Sequence, residues 1–229
     1  MTTISDNLQA VKRRISAACS LAGRDPASVR LLAVSKTFPP RALREAYAAG
    51  QRLFGESYVQ EALPKQAALA DLDIEWHFIG PLQSNKTRAV AENFSWLHSL
   101  DRLKIAQRLA QQRPETLPPL NVCVEVNLSG EASKSGCTPR EASALCRAVA
   151  ELPHLRLRGL MTIPEPTDDI AQTRRRFAAL RGLFEALSAE GLALDTLSMG
   201  MSHDLEAAIL EGATIVRVGT AIFGERHSS

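Results

Sequence analysis

Apolar and polar positions along the chain switch between two periods. Alternation with period two, or a short apolar run, marks eight strand segments at 29–36, 52–57, 74–80, 95–100, 121–128, 155–163, 194–201 and 214–224. Between them apolar residues recur at helical spacing, as in PRALREAYAAG, VQEALPKQAALA, RLKIAQRLAQQ, REASALCRAVAEL, AQTRRRFAALRGLFEALSAEG and DLEAAILEG, with a shorter helix around KTRAVAENF. Pro40 in the first turn and Gly50 at the end punctuate the first of these as helix start and stop signals require. One more helix precedes the first strand, with Ile4, Leu8, Val11 and Ile15 on one stripe. Lys12, Arg13 and Arg14 interrupt it, so it lacks the continuous apolar core of a signal peptide.

Eight strand–helix alternations imply a parallel sheet, because parallel neighbours need crossover helices. No low-complexity segment, Gly/Ser linker or charge block marks a boundary, so residues 1–229 are expected to form one domain, with the helix in 1–25 packed on it. With that helix set aside, about 25 residues remain per unit, which suits a compact barrel. The competing doubly wound sheet announces itself with a Gly-rich first turn, and the chain has neither G-x-G-x-x-G nor G-x-x-x-x-G-K-[ST]. The expected fold is α/β, a single (β/α)8 TIM-type barrel with an extra N-terminal helix.

Composition agrees. The chain is 229 residues long, 45% hydrophobic and only 5% aromatic, with a net charge of +2, and its aliphatic strands lean toward a sheet buried on both faces. The charge balance argues against a nucleic-acid or polybasic membrane partner, and no run of about 18 apolar residues suggests a transmembrane helix. Cys19, Cys123, Cys137 and Cys146 form no C-x-x-C and read as reduced, buried thiols. A cytoplasmic protein is expected. Its mixed surface charge and few aromatics suggest a monomer.

Side chains alternate faces along a strand. In the first strand Leu32, Val34 and Lys36 share a face. In the fifth, Cys123, Glu125 and Asn127 oppose a valine face that suits helix packing, so these three are expected inside the barrel. In the eighth, Ile215, Arg217 and Gly219 share a face opposite Val216 and Val218. In the third, either His77 or its neighbours Trp76 and Phe78 take the inward face. Charged side chains inside a barrel are either paired with one another or part of a site, and Lys36 lies at the C-terminal strand end, where barrels place ligands.

A lysine becomes nucleophilic when desolvation or a nearby cation lowers its pKa, and LLAVSKTF is apolar on both sides of Lys36. Such an amine suits a Schiff base with a carbonyl compound. At the far end of the chain, Ser202 is placed to cap a helix beginning at His203, and Gly219 and Thr220 at the end of the eighth strand add backbone N–H groups and a hydroxyl. An ordinary cap and turn would read the same way, yet the loops after strands seven and eight are the recurrent phosphate site of these barrels. A Schiff-base lysine together with a phosphate site describes an aldehyde phosphate, for which pyridoxal 5′-phosphate is the obvious candidate.

The segments LLAVSKTFP, FGESYVQEA, EWHFIGPLQSNK, SLDR, SKSG, RGLMTIP, LSMGMSHDLEAAI and VRVGTAIFG, in this order from Leu31 to Glu225, resemble the pyridoxal phosphate homeostasis proteins (the YggS/PROSC family). The resemblance implies a barrel of the alanine racemase N-terminal type that carries pyridoxal 5′-phosphate. It places the internal aldimine on Lys36, phosphate contacts on Ser202, Gly219 and Thr220, and Arg217 beside the pyridine nitrogen. The family usually reads F-G-E-N-Y-V-Q-E, whereas Ser57 replaces that Asn here, so a role for this side chain at the cofactor does not carry over.

An arginine at the ring nitrogen is always charged and only donates, which leaves the nitrogen unprotonated and weakens the cofactor as an electron sink. Related alanine racemases use a second domain and a tyrosine base, for which 229 residues leave no room; the two tyrosines are Tyr47, on an outer helix, and Tyr58, after the second strand. The expectation is therefore a reversible carrier supporting vitamin B6 balance, with no catalytic residues and with apo pyridoxal phosphate enzymes as transient recipients. The alternatives are a racemase-like enzyme of low activity and a cofactor-free Schiff-base aldolase. The five histidines show no metal-ligand spacing, Arg174–Arg176 reads as a solvated helix face, and Lys134 is either a solvated loop residue or a contact for phosphate or a second aldehyde.

Overall fold

The computed structural model describes residues 2–130 and 135–225; the sequence candidate Lys134 lies outside them. An N-terminal helix, α1 (Ile4–Leu21), opens on a capping box in which Thr3 and Asp6 exchange side-chain and backbone hydrogen bonds. Eight strands follow: β1 (Arg30–Val34), β2 (Leu53–Glu56), β3 (Glu75–Phe78), β4 (Trp96–Leu100), β5 (Leu120–Glu125), β6 (Leu155–Met161), β7 (Thr196–Ser198) and β8 (Ile215–Val218). They pair in chain order, all parallel, and β8 returns to β1 to close the barrel. The crossovers carry α2 (Pro40–Ala48), α3 (Val59–Ala68), α4 (Thr87–Asn93), α5 (Leu103–Gln112), α6 (Pro139–Ala150), α7 (Ile170–Ala189) and α8 (Leu205–Leu210), and α9 (Thr220–Phe223) follows β8. This is the barrel and N-terminal helix that the periodicity predicts.

Strand alternation divides the apolar residues into two cores. Leu32, Trp96, Cys123, Met161 and Ile215 meet inside the barrel, while Ala33, Phe54, Phe78, Leu97, Val122, Val124, Leu160, Val216 and Val218 face the helices. Because inward and outward positions alternate, a one-residue slip of any strand would exchange its two faces, so burial on both sides fixes the register. The ambiguity in the third strand resolves the same way: His77 is fully buried beside Trp96 in the interior, and Phe78 packs outward on Phe94. Outside the barrel, α1 buries Leu8, Val11, Ile15, Ala18 and Cys19 against a surface that includes α8, α9 and α2.

Every strand but β4 ends earlier than its apolar run. β1 stops at Val34, so Lys36, expected on its inward face, lies beyond it. β5 stops at Glu125, so Asn127, expected inside the barrel, lies beyond the strand, where its side-chain oxygen accepts hydrogen bonds from the Ser129 amide and hydroxyl. β7 spans only Thr196–Ser198 because Gly200 takes φ +99°, a conformation that ends extended chain, and a Cβ there would lie 2.6 Å from that of Ala208. β8 stops at Val218, and Gly219 turns the chain into α9, its carbonyl accepting from both Ile222 and Phe223 at 2.9 Å. Among the described residues, no helix is long and apolar enough to cross a membrane, and no cluster of His, Cys, Asp and Glu has metal-site geometry. The four cysteines are free and buried.

Candidate functional site

The C-terminal ends of β1 and β8 approach closely. A Cβ on Gly219 would stand 3.3 Å from the Val34 carbonyl oxygen, so a side chain there would crowd the wall on which Lys36 is mounted. Lys36 lies two residues beyond β1, after Ser35, on a turn whose next residue, Thr37, takes φ +72°, an uncommon conformation for a non-glycine residue that the surroundings must hold. A buried cluster beneath the turn does so. Lys65 Nζ donates to the Ser35 carbonyl at 2.8 Å, to both Glu56 oxygens at 2.9 and 3.1 Å and to Glu61 at 2.7 Å. The Ser35 hydroxyl donates to Glu56 at 2.6 Å, and the Thr37 amide donates to Glu61. Burial raises the Glu56 pKa, an effect that the Lys65 charge opposes. The residues flanking Lys36 are thus pinned from below by ion pairs that no spacing in the sequence singles out.

Arg217, on β8, is 3% exposed. It donates from one terminal nitrogen to Ser198 Oγ at 2.7 Å and from the other to the Thr162 carbonyl at 2.9 Å. Burial lowers its pKa to about 10, so the guanidinium remains charged at neutral pH. Glu125, on β5, reaches the same end of the barrel; burial, reinforced by the charge of Asp101, pushes its pKa up to about 7.

The Ser202 loop departs from expectation in its detail. Met201–Asp204 forms a turn, and α8 begins at Leu205 with Asp204 as its N-terminal flanking residue. The Asp204 carboxylate accepts from the Met201 amide at 2.6 Å and closes that turn, while making no cap to the amides of α8. Ser202 faces α9 instead: its oxygen accepts from the Thr220 hydroxyl at 3.3 Å and from the Ala221 amide at 3.4 Å. From behind, Arg14 of α1 donates to the Ser202 carbonyl at 2.8 Å and to Glu206 at 2.6 Å, which ties the N-terminal helix to this loop.

These parts enclose a cavity of about 200 Å³ lined by Val34, Lys36, Ser57, Ile79, Ile163, Met201, Ser202, His203, Arg217, Gly219 and Thr220. All five residues singled out from the sequence, Lys36, Ser202, Arg217, Gly219 and Thr220, therefore share one cavity, although Lys36 lies more than 160 positions before the other four. Ile79 and Ile163 also line a neighbouring chamber of about 270 Å³ that contains Glu125. The donor set combines an amine, a guanidinium, two hydroxyls and backbone amides at the end of a strand pair. It fits an aldehyde phosphate with a ring acceptor. The polar lining continues inward through Ser198, His98 and His77. Of these the sequence pointed only to His77, since a single imidazole on a strand has no characteristic spacing.

Comparison with known proteins agrees with this architecture. The family model for the alanine racemase N-terminal domain matches residues 7–227. The chain is 66% identical over 226 residues to the pyridoxal phosphate homeostasis protein of Pseudomonas aeruginosa, covering 99% of this chain and 97% of that one. It is 53% identical over 235 residues to the protein of the same name from Escherichia coli, covering 100% and 99%. Among solved structures, PipY of Synechococcus elongatus with PLP bound superposes with a TM-score of 0.82 at 43% identity, covering 92% of this chain and all of that one. An alanine racemase of Clostridium difficile shares the fold alone, with a TM-score of 0.75 at 15% identity over 98% of this chain and 58% of its own. The chain belongs to the alanine racemase N-terminal domain family and, within it, to the pyridoxal phosphate homeostasis proteins.

Proposed function

We propose that this protein binds pyridoxal 5′-phosphate reversibly and serves the intracellular balance of that cofactor rather than a turnover of its own. The observation that carries the reading is the single cavity shared by Lys36, Arg217, Ser202, Gly219 and Thr220. The names of its relatives and the PLP-bound PipY structure support it. Lys36 would hold the cofactor through its amine, for which the bound cofactor would supply an aldehyde able to form a Schiff base. Ser202, Thr220 and the backbone at Gly219 would receive the phosphate, where hydroxyl and amide donors suit an anion. Arg217 would present its remaining N–H groups to the ring nitrogen. A permanently protonated donor there leaves that nitrogen without a proton and disfavours stabilised carbanions.

Proton placement supports a carrier as well. Racemisation needs a second proton-carrying group opposite the lysine. Tyr47 belongs to α2, and Tyr58 lines not the Lys36 cavity but an adjoining one that shares Ser57 with it. His203 does line the Lys36 cavity, but its imidazole is exposed and stands 3.6 Å from Asp204.

The test is an absorption spectrum of purified protein loaded with pyridoxal 5′-phosphate, followed by mixing with an apo enzyme that requires it. The expected result is a visible absorption band of the bound cofactor that decays as the recipient gains activity. A protein that takes up no cofactor overturns the reading, and washout of α-deuterium from amino acids, abolished by Lys36→Ala, replaces it with racemase-like chemistry.

A further inference from the structure

A file of polar side chains crosses the interior of the barrel from the cavity to the opposite end. Arg217 on β8 donates to Ser198 Oγ on β7 at 2.7 Å. Ser198 Oγ lies 2.7 Å from His98 Nδ1 on β4, and His98 Nε2 lies 2.8 Å from His77 Nδ1 on β3. His77 Nε2 is 2.8 Å from the Glu75 carboxylate, which Arg30 meets from β1 at 2.6 Å. His77, His98 and Ser198 are fully buried. The step from β7 to β4 joins strands that are not neighbours in the sheet, so the file braces the barrel across its middle.

With both imidazoles neutral, the two ends fix the direction of every bond between them. A guanidinium only donates and a carboxylate only accepts. Ser198 therefore accepts from Arg217 and donates its own hydroxyl proton to His98 Nδ1. His98 donates from Nε2 to His77 Nδ1, and His77 donates from Nε2 to Glu75. Both neutral rings then carry the proton on Nε2. An additional proton on His77 would reverse the two middle bonds and leave the buried Ser198 hydroxyl proton without an acceptor, a costly arrangement in an interior. Burial favours the neutral rings in the same sense. His77 is further held by stacking on Trp96, with ring centroids 5.2 Å apart and planes 6° from parallel.

We propose that His77, His98 and Ser198 form a one-way hydrogen-bond relay, anchored at Glu75 and Arg30, that positions Arg217 for the ligand in the cavity. The relay and the Thr162 carbonyl engage two of the five N–H groups of Arg217, whose side chain also lines the cavity. Arg217 needs this support because, among the described residues, no carboxylate hydrogen-bonds to it. The three relay residues are positioning residues: they act on the cofactor only through Arg217, and in that respect the proposal rests on the function proposed above.

Two measurements test it. In the cofactor-free protein at pH 7, long-range ¹H–¹⁵N correlation spectra of the histidine rings are expected to show His77 and His98 neutral with the proton on Nε2. A proton on Nδ1 of either ring, or a charged ring, overturns the relay. In the loaded protein, Ser198→Ala is expected to weaken cofactor binding about tenfold, the scale of one buried hydrogen-bond partner lost, and to shift the visible band of the bound cofactor. Glu75→Gln keeps an acceptor for His77 and is expected to preserve the affinity, the band and both tautomers, whereas Glu75→Ala is expected to change the His77 ring signals. Ser198→Ala protein that folds normally and retains both affinity and band also overturns the proposal. If wild-type protein takes up no cofactor, the function above fails, and the ring spectra alone decide the relay.

Discussion

At the N-terminal end of the barrel Arg30 meets Glu75 at 2.6 Å and Arg158 meets Asp195 at 2.8 Å, both arginines lying over the ring of Trp96. At the C-terminal mouth Arg217 and Glu125 are more deeply buried, yet among the described residues neither hydrogen-bonds to a group of opposite charge. Charge at the first end is neutralised locally and closes the barrel. At the mouth it is kept available beside a cavity, which is the arrangement expected where a ligand completes the pairing. The two carboxylates record this difference in their pKa values. Burial opposes ionisation at both, but hydrogen bonds from His77 and Arg30 bring Glu75 down to about 2, whereas Glu125 rises to about 7.

The largest predicted effect belongs to the mouth. Lys65→Ala would leave Glu56 buried without its cation and release the turn that carries Lys36. Removing one partner of a buried pair costs about 3–5 kcal/mol, which urea denaturation would register along with weaker cofactor binding. A loss below about 1 kcal/mol would mean that the cluster does not hold the turn.

Glu125 gives the next effect, with a definite sign. Its folded pKa is raised above the ordinary 4.5 to about 7, so between these values the unfolded chain loses a proton that the folded protein keeps. Stability therefore falls as pH rises through this window, by up to about 3 kcal/mol, and levels off above it. Glu125→Gln should flatten that part of the stability curve. At the other end the sign is reversed: the depressed pKa of Glu75 contributes stability above about pH 4.5 that is lost as pH falls toward 2. Glu75→Gln should remove that acid-side loss and leave the window from 4.5 to 7 unchanged.

The smallest effect is predicted for Arg158→Ala. Asp195, its partner, is half exposed, and a pair screened in this way contributes about 0.5–1 kcal/mol, with a further small loss from the contact over Trp96. Thermal unfolding should shift by a few degrees at most, with cofactor affinity unchanged. A fall in affinity comparable to that of Lys65→Ala would erase the distinction between the two ends.

Periodicity revealed the barrel because strands buried on both faces and crossover helices leave different spacings. The fifth strand shows it best: the valines at 122, 124 and 126 and the inward pair Cys123 and Glu125 occupy the faces that alternation assigns them. Strand ends were less legible, since the β-branched and apolar run at 214–224 gives no local sign that Gly219 starts a helical turn. Ser202 caps no helix because the Met201–Asp204 turn delays α8 to Leu205 and its hydroxyl meets α9, a contact between separate segments that the local sequence does not show. The lysine–glutamate cluster and the histidine file were hidden for another reason. Lys65, Glu56, His98 and Ser198 are ordinary residues in their own segments, and their chemistry arises only when the closed sheet brings separate strands together.

The proposed function requires Lys36 to hold the cofactor. Protein loaded with pyridoxal 5′-phosphate, reduced with borohydride and mapped by peptide mass spectrometry, should carry the pyridoxyl group on Lys36, while Lys36→Ala should lose both that label and the visible band. A label on another lysine of the wild-type protein, or a band that persists unchanged in Lys36→Ala, would contradict the account.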